Sequence, residues 1–329
     1  MHLPLRIRGV GRYLPERIVT NREVEERLGL AEGTIDQTKA GVRERRQIND
    51  ETGSYMAAQA AREALDRSGI SLDEIDMLIH TSGTPEQAIP DGGALVLKHL
   101  GVSGIPAFSV HCTCLSFLMG LQVAGQFLAT GQYRNILLAG GDVASAAINP
   151  NEMEAFVLFG DAGAAAVVSR SEPDQSSAIT GFAFETFPEG SNYTELRGGG
   201  TRLHPANPAT KYEDNFFHMN GRKVYTLALR NAPQVIERLR EGLSKGLGDI
   251  ALVVPHQASG LAMATMMKTF SWPSERVVQN LEKLGNCIGT SIPLALYEGV
   301  TTGRIQRGEE LLFFGTGAGL SVGCMIITY

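Results

Sequence analysis

Features that mark several protein classes are scarce in this sequence of 329 residues. Four cysteines in so long a chain do not make a disulfide scaffold, so we expect a reducing, cytoplasmic setting. Lys and Arg do not outnumber Asp and Glu; the counts of 29 and 35 give a net charge of −6, which argues against nucleic acid or an anionic membrane as partner. The N-terminus has charges where a signal peptide is apolar, and no apolar run approaches the ~18 residues that span a bilayer, so no membrane association is expected.

The composition that remains is that of a globular protein with a large core. Hydrophobic residues make up 43% and charged residues 19%, which excludes intrinsic disorder. The length suggests about two domains or one large α/β unit. Glycine is abundant at 38 residues, which predicts many tight turns and close backbone approaches.

Apolar strands alternate with helical segments along most of the chain, which favours an α/β fold with a mostly parallel sheet covered on both faces. Thr20 is predicted to cap a first helix, with Glu23 at capping-box spacing. Residues 170–215 are polar and rich in Gly, Asn and Pro, and we interpret much of this stretch as a connection of the kind that forms lids. The predicted strands span residues 6–9, 77–80, 107–110, 136–139, 164–168 and 179–184, and the predicted helices 20–29, 57–67, 115–129, 233–245 and 293–300.

The pattern repeats within the chain. The helix-strand unit containing Ile75 has a counterpart at Ile250, an offset of 250 − 75 = 175, and the turn at Gly131 is echoed at Gly303, an offset of 303 − 131 = 172. These echoes predict two duplicated halves, residues 1–170 and 171–329. Chance similarity between ordinary βα units is the alternative.

Cys114 is the first candidate for chemistry. It lies between an apolar strand and an apolar helix, where helix amides favour thiolate over thiol and can hold an oxyanion. A buried core cysteine is the alternative.

His256 and Asn286 are the other candidates. His256 directly follows an apolar strand, at the sheet edge where α/β proteins place ligands, although a lone histidine is more often structural. Asn286 lies between two glycines before a helix, where an asparagine often serves only a turn. Its offset from Cys114 is 286 − 114 = 172, so we predict that it occupies the equivalent position in the second half. Cys, His and Asn converging on one site suit acyl-thioester chemistry.

Three other motifs are weaker. The glycine run 315–323 and the segment 159–164 lack the G-x-G-x-x-G spacing of dinucleotide sites. Cys112 and Cys114 beside His111 lack the four ligands of a zinc site, so no metal is expected. The chain order Cys, His, Asn is that of papain-like proteases, but the C-G-S-C-W signature is missing.

The sequence resembles the β-ketoacyl-acyl-carrier-protein (ACP) synthase III family of thiolase-like condensing enzymes nearly end to end. The strings that carry the resemblance are GVGRYLPERIVTN, GVRERR, HTSGTP, LFGDAGAAAV, MNGRKVY, PHQA, GNCIGTSIPLAL and the final glycine loop. The resemblance implies a five-layered αβαβα fold and a homodimer.

The resemblance also implies roles for the candidate residues. Cys114 matches the acylated nucleophile, His256 the catalytic histidine and Asn286 the catalytic asparagine, with the amides of Cys114 and Ala318 as oxyanion hole. The substrates implied are an acyl-CoA or acyl-ACP primer and malonyl-ACP, with no bound cofactor. Cys114 would take the acyl group, and His256 and Asn286 would then hold the enolate formed by decarboxylation.

Several positions depart from the family pattern. Ile35 stands where an aromatic ring often stacks on the adenine of coenzyme A, and Met153 stands where an arginine partners that ring. Lys39 keeps a positive charge near the expected phosphates. Ser259-Gly260-Leu261 replaces the segment whose arginine engages the carrier protein. Ile89 replaces the bulky residue that closes the acyl pocket from the partner subunit, which favours a primer longer or more branched than acetyl.

Two other functions remain open at this point. One is an acyltransferase of secondary metabolism that passes the acyl group from Cys114 to an alcohol or amine without decarboxylation. The other is a non-catalytic subunit, from which loss of part of the triad is expected. The sequence leaves open the acyl chain length and the choice between CoA and ACP as donor.

Overall fold

The structure is a computed structural model that describes residues 1–149 and 152–329. Its strands in that part of the chain are β1 (Arg6–Tyr13), β2 (Arg17–Thr20), β3 (Glu44–Gln47), β4 (Met77–His80), β5 (Ala107–Ser109), β6 (Asn135–Asp142), β7 (Ala162–Ser169), β8 (Ala178–Thr186), β9 (Thr194–Leu196), β10 (Phe217–Met219), β11 (Leu252–Pro255), β12 (Glu310–Gly317) and β13 (Ser321–Thr328). Its α-helices there are α1 (Asn21–Leu28), α2 (Gly53–Ser68), α3 (Gly92–Leu100), α4 (Ser116–Thr130), α5 (Met153–Leu158), α6 (Gly221–Leu239), α7 (Gly260–Thr269), α8 (Leu281–Leu284) and α9 (Ser291–Thr301).

Two sheets form the frame of the molecule. The first has the order β1-β7-β6-β4-β5 and the second β11-β12-β13-β8. Only β4 with its two neighbours and β11 with β12 pair in parallel; the other ladders of the two sheets are antiparallel. The prediction of a mostly parallel sheet is therefore wrong. One reason is that only three residues join β12 to β13, a connection too short for anything but an antiparallel pair.

Helices cover and separate the sheets in five layers. α2 and α3 pack on the outer face of the first sheet, α4 and α9 lie between the sheets, and α6 packs on the outer face of the second. The largest core cluster fills the central layer, where side chains such as Leu121 and Leu296 are fully buried. This is the predicted αβαβα arrangement.

The duplication is visible in the strands. All strands of the first sheet precede residue 170 and all those of the second follow residue 171, in the part of the chain that is described. β4 and β6 recur as β11 and β12 at an offset of 175, from 252 − 77 and 310 − 135. The offset of 172 seen at Gly131 and Gly303 is local, because α9 has 11 residues where α4 has 15.

Two local predictions need correction. The helix predicted at 233–245 is α6, which runs through Pro233 because its apolar face packs on the second sheet, and which ends before Gly242 takes a φ of 85°. Within the stretch 170–215, the strand predicted at 179–184 is confirmed as β8, paired along β13, and the structure adds the short strand β9, paired with β10. At the first helix, Thr20 Oγ1 accepts the Glu23 amide as predicted (3.3 Å), but the Glu23 carboxylate pairs with Arg17 and Arg27 rather than closing the box.

The prediction that no apolar run approaches 18 residues is wrong for the segment that contains the central helix α4. The segment Thr113–Thr130 is 18 residues long with a mean hydropathy of 1.3, so by length and composition it could cross a membrane. Half of it is buried within the protein, and side chains such as Phe117 and Leu121 belong to the core between the sheets. Its apolar composition follows from packing on both sides, as in the core helix of a globular protein.

Candidate active site

Cys114 lies where the sequence placed it, in a single 3₁₀ turn that leads from β5 into α4. The turn spans Thr113–Leu115, and Thr113 adopts a φ of +50°. The Cys112 amide donates to Ser116 Oγ (3.0 Å), and the Leu115 amide donates to the Cys112 carbonyl (3.0 Å). The turn thereby fixes the sulfur at the start of the central helix.

The surroundings of the sulfur oppose the expected thiolate. Burial, and then the charge of Asp142, raise the pKa of Cys114 to about 12. The backbone amides of Cys114 and Ala318 act in the opposite direction and lower it. The amides thus favour the thiolate as predicted, but burial outweighs them, and the resting sulfur is a protonated thiol. The two predicted oxyanion-hole amides do both act on this sulfur.

His256 follows β11 and is held neutral. Its backbone amide donates to the Phe314 carbonyl on β12 (2.8 Å). Its side chain is buried, and burial lowers the pKa of His256 to about 4. Nδ1 has no hydrogen-bond partner among the described residues. Gln257 braces the segment by donating to the carbonyls of Pro255 (3.2 Å) and Val278 (3.0 Å). The imidazole is thus a neutral group with an unused nitrogen at pH 7.

Asn286 is buried in the loop before α9, and its carboxamide is oriented at both ends. Oδ1 accepts the Ile288 amide (2.9 Å), and Nδ2 donates to the Ala258 carbonyl (3.3 Å). Because an amide nitrogen carries two N–H groups, one remains for a ligand. The Ala258 contact also ties Asn286 to the segment that begins at His256.

Glycines on the packed elements bring the three segments together. A Cβ added to Gly315 would lie 2.9 Å from both His256 Cβ and a Leu115 methyl, so β12 has no side chain between them. A Cβ on Gly83 would lie 2.5 Å from Ile288 and 3.0 Å from the Thr113 carbonyl. The Cys114 turn therefore packs against β12 on one side and against the turn after Asn286 on the other.

The internal repeat relates these residues differently from the prediction. The turn Cys287–Ser291 reproduces Cys112–Ser116: the Cys287 amide donates to Ser291 Oγ (3.1 Å), and Ile288 has the same φ of +50° as Thr113. This register corresponds to 288 − 113 = 175. The counterpart of Cys114 is Gly289, and the counterpart of Asn286 is His111. The prediction that Asn286 matches Cys114 is wrong, because it used the offset of 172. That offset applies only after α9, which is shorter than α4, whereas Asn286 precedes α9.

Asp142, at the end of β6, is a member of the site that the sequence analysis missed. It is fully buried, and burial raises the pKa of this carboxyl. Its Oδ1 accepts the amides of Gly83 and Thr84 (2.8 Å each) and the hydroxyl of Ser82 (2.8 Å), and its Oδ2 accepts the Thr290 amide (2.8 Å). The same argument that singled out His256, a polar residue at the end of a buried strand, could have found it.

Three of the four predicted substrate positions surround one corner of the molecule. Met153, at the start of α5, lines a cavity of about 480 Å³ with Tyr193 and His218. Lys39 is exposed, and its carbonyl accepts the Leu261 amide (2.9 Å) at the start of α7. Ile35 is only 1% exposed and packs in the core cluster beneath α5, so it has no surface to offer a ligand, which contradicts its predicted contact.

The fourth position, Ile89, points away from its own chain. It lies between β4 and α3 and is 85% exposed, the most exposed of the large hydrophobic side chains. The segment Ser82–Thr84 that begins this loop is held by Asp142. An apolar side chain with this exposure makes little contact with its own chain.

Comparisons with known proteins agree with this architecture. Residues 108–187 match the family model for 3-oxoacyl-[acyl-carrier-protein] synthase III, and residues 242–329 match the model for its C-terminal part. The chain is 33% identical to β-ketoacyl-[acyl-carrier-protein] synthase III of Aquifex aeolicus over 324 residues, covering 98% of this chain and 99% of that protein. It is 34% identical to synthase III 1 of Bacillus cereus over 327 residues, covering 98% of each.

Solved structures extend the comparison to the fold. The crystal structure of the Aquifex aeolicus synthase III superposes with a TM-score of 0.88 at 30% identity, covering 99% of this chain and 100% of that one. An OleA structure from Xanthomonas campestris superposes with a TM-score of 0.86 at 23% identity, covering 99% and 98%, and shares the fold. The chain therefore belongs to the β-ketoacyl-acyl-carrier-protein synthase III family, whose members are condensing acyltransferases with the thiolase fold.

Proposed function

We propose that the protein catalyses a decarboxylative Claisen condensation in two stages, with Cys114 as the acylated nucleophile. The observation that carries the proposal is the packing of three segments. On one side the Cys114 turn lies against β12, where only Gly315, which has no side chain, stands between this turn and His256. On the other side it lies against the turn that follows Asn286. A thiol, a neutral imidazole and an oriented carboxamide are the groups that this chemistry requires.

In the first stage Cys114 attacks the carbonyl of an acyl thioester. Because the pKa of the thiol is raised to about 12, its proton must leave during the attack, and the neutral His256 accepts it. The amides of Cys114 and Ala318 hold the tetrahedral oxyanion. The C–S bond to the carrier then breaks, and the departing thiolate takes the proton back from His256.

In the second stage malonyl-ACP loses CO₂, and the electron pair of the broken bond enters the thioester as an enolate. His256 and Asn286 donate hydrogen bonds to the enolate oxygen. An asparagine suits this position because it is a neutral donor at every physiological pH. The enolate carbon attacks the acyl-enzyme carbonyl, and the Cys114–acyl bond breaks to release the sulfur.

We also assign the finer properties of the reaction. The acyl primer is longer or more branched than acetyl, because aliphatic Ile89 stands where a bulkier residue commonly closes the pocket. The active form is a homodimer: Ile89 is exposed, and β5 is an edge strand whose neighbour Val110 is only partly buried. The four free cysteines fit a cytoplasmic enzyme.

Release of labelled CO₂ from malonyl-ACP tests the reaction. The proposal predicts release that depends on an acyl thioester primer and yields a β-ketoacyl-ACP. A transferase that passes the acyl group to an alcohol or amine would consume the primer and release no CO₂, and this result would refute the condensation.

Intact-protein mass spectrometry tests the primer. We expect Cys114 to be acylated faster by a medium-chain or branched acyl thioester than by acetyl-CoA. Faster acylation by acetyl-CoA would reject the assignment to Ile89 while leaving the condensation intact.

A further inference from the structure

Thr113, the residue before the nucleophile, has an unused hydroxyl. Its Oγ1 is buried and makes no hydrogen bond within the described part of the chain. Its backbone has a φ of +50°, which β-branched residues rarely adopt. Burying a hydroxyl without a hydrogen-bond partner is unfavourable. Both the side chain and the backbone conformation of Thr113 therefore reduce the stability of the fold.

The equivalent turn in the second half shows that the backbone does not require a hydroxyl at this position. Ile288 occupies the same place with the same φ of +50°, so an apolar β-branched side chain is accommodated there. The residue after it is Gly289, which has no reactive group. The hydroxyl therefore occurs in the half that also carries the sulfur.

The hydroxyl faces the glycine loop beside the oxyanion hole. A Cβ added to Gly317 would lie 2.8 Å from Thr113 Oγ1, and the next residue, Ala318, supplies the amide that acts on the Cys114 sulfur. The Thr113 side chain acts on that sulfur as well and lowers the pKa of the thiol.

We propose that the Thr113 hydroxyl is a further donor to the reacting sulfur, one that forms its hydrogen bond when Cys114 becomes a thiolate. No proton is transferred: the hydroxyl keeps its hydrogen and stabilises the charge before the attack and again when the acyl group leaves. An unpartnered donor already in place stabilises that charge without reorganisation. The proposal rests on the proposed role of Cys114 as nucleophile.

Other titratable groups lie around the Cys114 turn. Asp142 on β6 raises the pKa of the thiol, His256 after β11 is neutral, and Cys112 lies in the turn itself. In the facing turn, Cys287–Ser291, the titratable side chain is Cys287, and burial raises the pKa of its thiol well above the usual range. Substitution of Thr113 leaves all of these groups in place, so a change in sulfur reactivity reports on the hydroxyl.

The test compares Thr113→Val, which removes the hydroxyl at nearly constant shape, with Thr113→Ser, which keeps it. Alkylation of Cys114 by iodoacetamide is followed by peptide-resolved mass spectrometry from pH 7 to 9. Loss of a hydrogen bond to a charged group raises the pKa of the thiol by about one unit, so about tenfold less thiolate is present at a given pH. The remaining thiolate is more nucleophilic, which offsets part of this loss. We therefore expect Thr113→Val to react about three- to tenfold more slowly from pH 7 to 9. Thr113→Ser should react within about twofold of the wild type.

Two further variants keep the test decisive. Ile288→Val makes a comparable change of shape in the equivalent turn and should leave Cys114 alkylation unchanged. Thr113→Ala removes the hydroxyl together with the β-branch and should be as slow as Thr113→Val, which covers the case in which the valine variant does not fold. Alkylation at the wild-type rate in either variant without the hydroxyl overturns the proposal. Failure of wild-type Cys114 to accept an acyl group would instead overturn the proposed function.

Discussion

The two equivalent turns, Cys112–Ser116 and Cys287–Ser291, have the same backbone and different chemistry. Each places a serine hydroxyl on the first amide of the turn, and each has a β-branched residue at a φ of +50°. The first carries Cys114, the proposed nucleophile, whereas its counterpart Gly289 has no side chain. The second is preceded by Asn286, the group that we assign to the enolate. Duplication thus supplied one turn twice, and in the proposed mechanism the two copies contribute different groups to one site.

Asp142 joins the two turns. It accepts the Thr290 amide of the second turn, and its charge raises the pKa of Cys114 in the first. The carboxylate thus holds the second turn by a hydrogen bond, and its charge adds to the effect of burial in keeping the Cys114 thiol protonated.

Removing the Cys114 sulfur should have the largest effect, because it removes the main chemical difference between the two turns. We expect Cys114→Ala to form no acyl-enzyme, because the first turn then resembles the second in having no nucleophile. Intact mass after incubation with an acyl thioester measures this. Cys112→Ala, which changes the neighbouring cysteine, should still gain one acyl group, and acylation of Cys114→Ala would place the nucleophile elsewhere.

Asn286→Asp tests the second turn alone. The carboxylate can still accept the Ile288 amide, but it cannot donate to an enolate oxygen, and loss of one such donor costs about 10²–10³ in rate. Acyl-enzyme formation should persist while condensation falls by that factor. Acylation measured by mass and CO₂ release measured separately distinguish the stages, and condensation at the wild-type rate would remove Asn286 from the mechanism.

Asp142→Asn tests the link between the turns. The charge that accepts five hydrogen bonds from the 82–84 loop and Thr290 is lost, and we expect the free energy of unfolding to fall by about 2–4 kcal/mol. The pKa of Cys114 should fall too, because its negative neighbour is gone. Urea unfolding and the pH dependence of Cys114 alkylation measure the two effects; an unchanged thiol reactivity would show that the charge does not reach the sulfur.

The smallest effect is the pH dependence due to His256. Burial lowers its pKa to about 4, below about 6.5 in an unfolded chain, so it stabilises the fold above pH 6.5 and loses this contribution as the pH falls toward 4. We expect the wild type to lose about 2 kcal/mol between pH 7 and pH 5 relative to His256→Gln. Equal losses in both proteins would mean that the imidazole is not held neutral.

The sequence predicted the site better than the sheet. The positions of Cys114 and His256 at element ends follow from local apolar patterns, and the structure confirms both. The partners of Asp142 depend on contacts such as that with Thr290, 148 positions away, which no local pattern encodes. Ile35 was misplaced for the same reason, since its burial depends on α5 folding over it.

The most direct test of the central claim is a single turnover of isolated acyl-enzyme. The protein is acylated, freed of excess primer and mixed with malonyl-ACP, and the peptide containing Cys114 is followed by mass spectrometry together with released CO₂. We predict that the acyl group lies on Cys114 and disappears in step with one equivalent of CO₂. An acyl group on another residue, or one that leaves Cys114 without CO₂ release, would contradict the account.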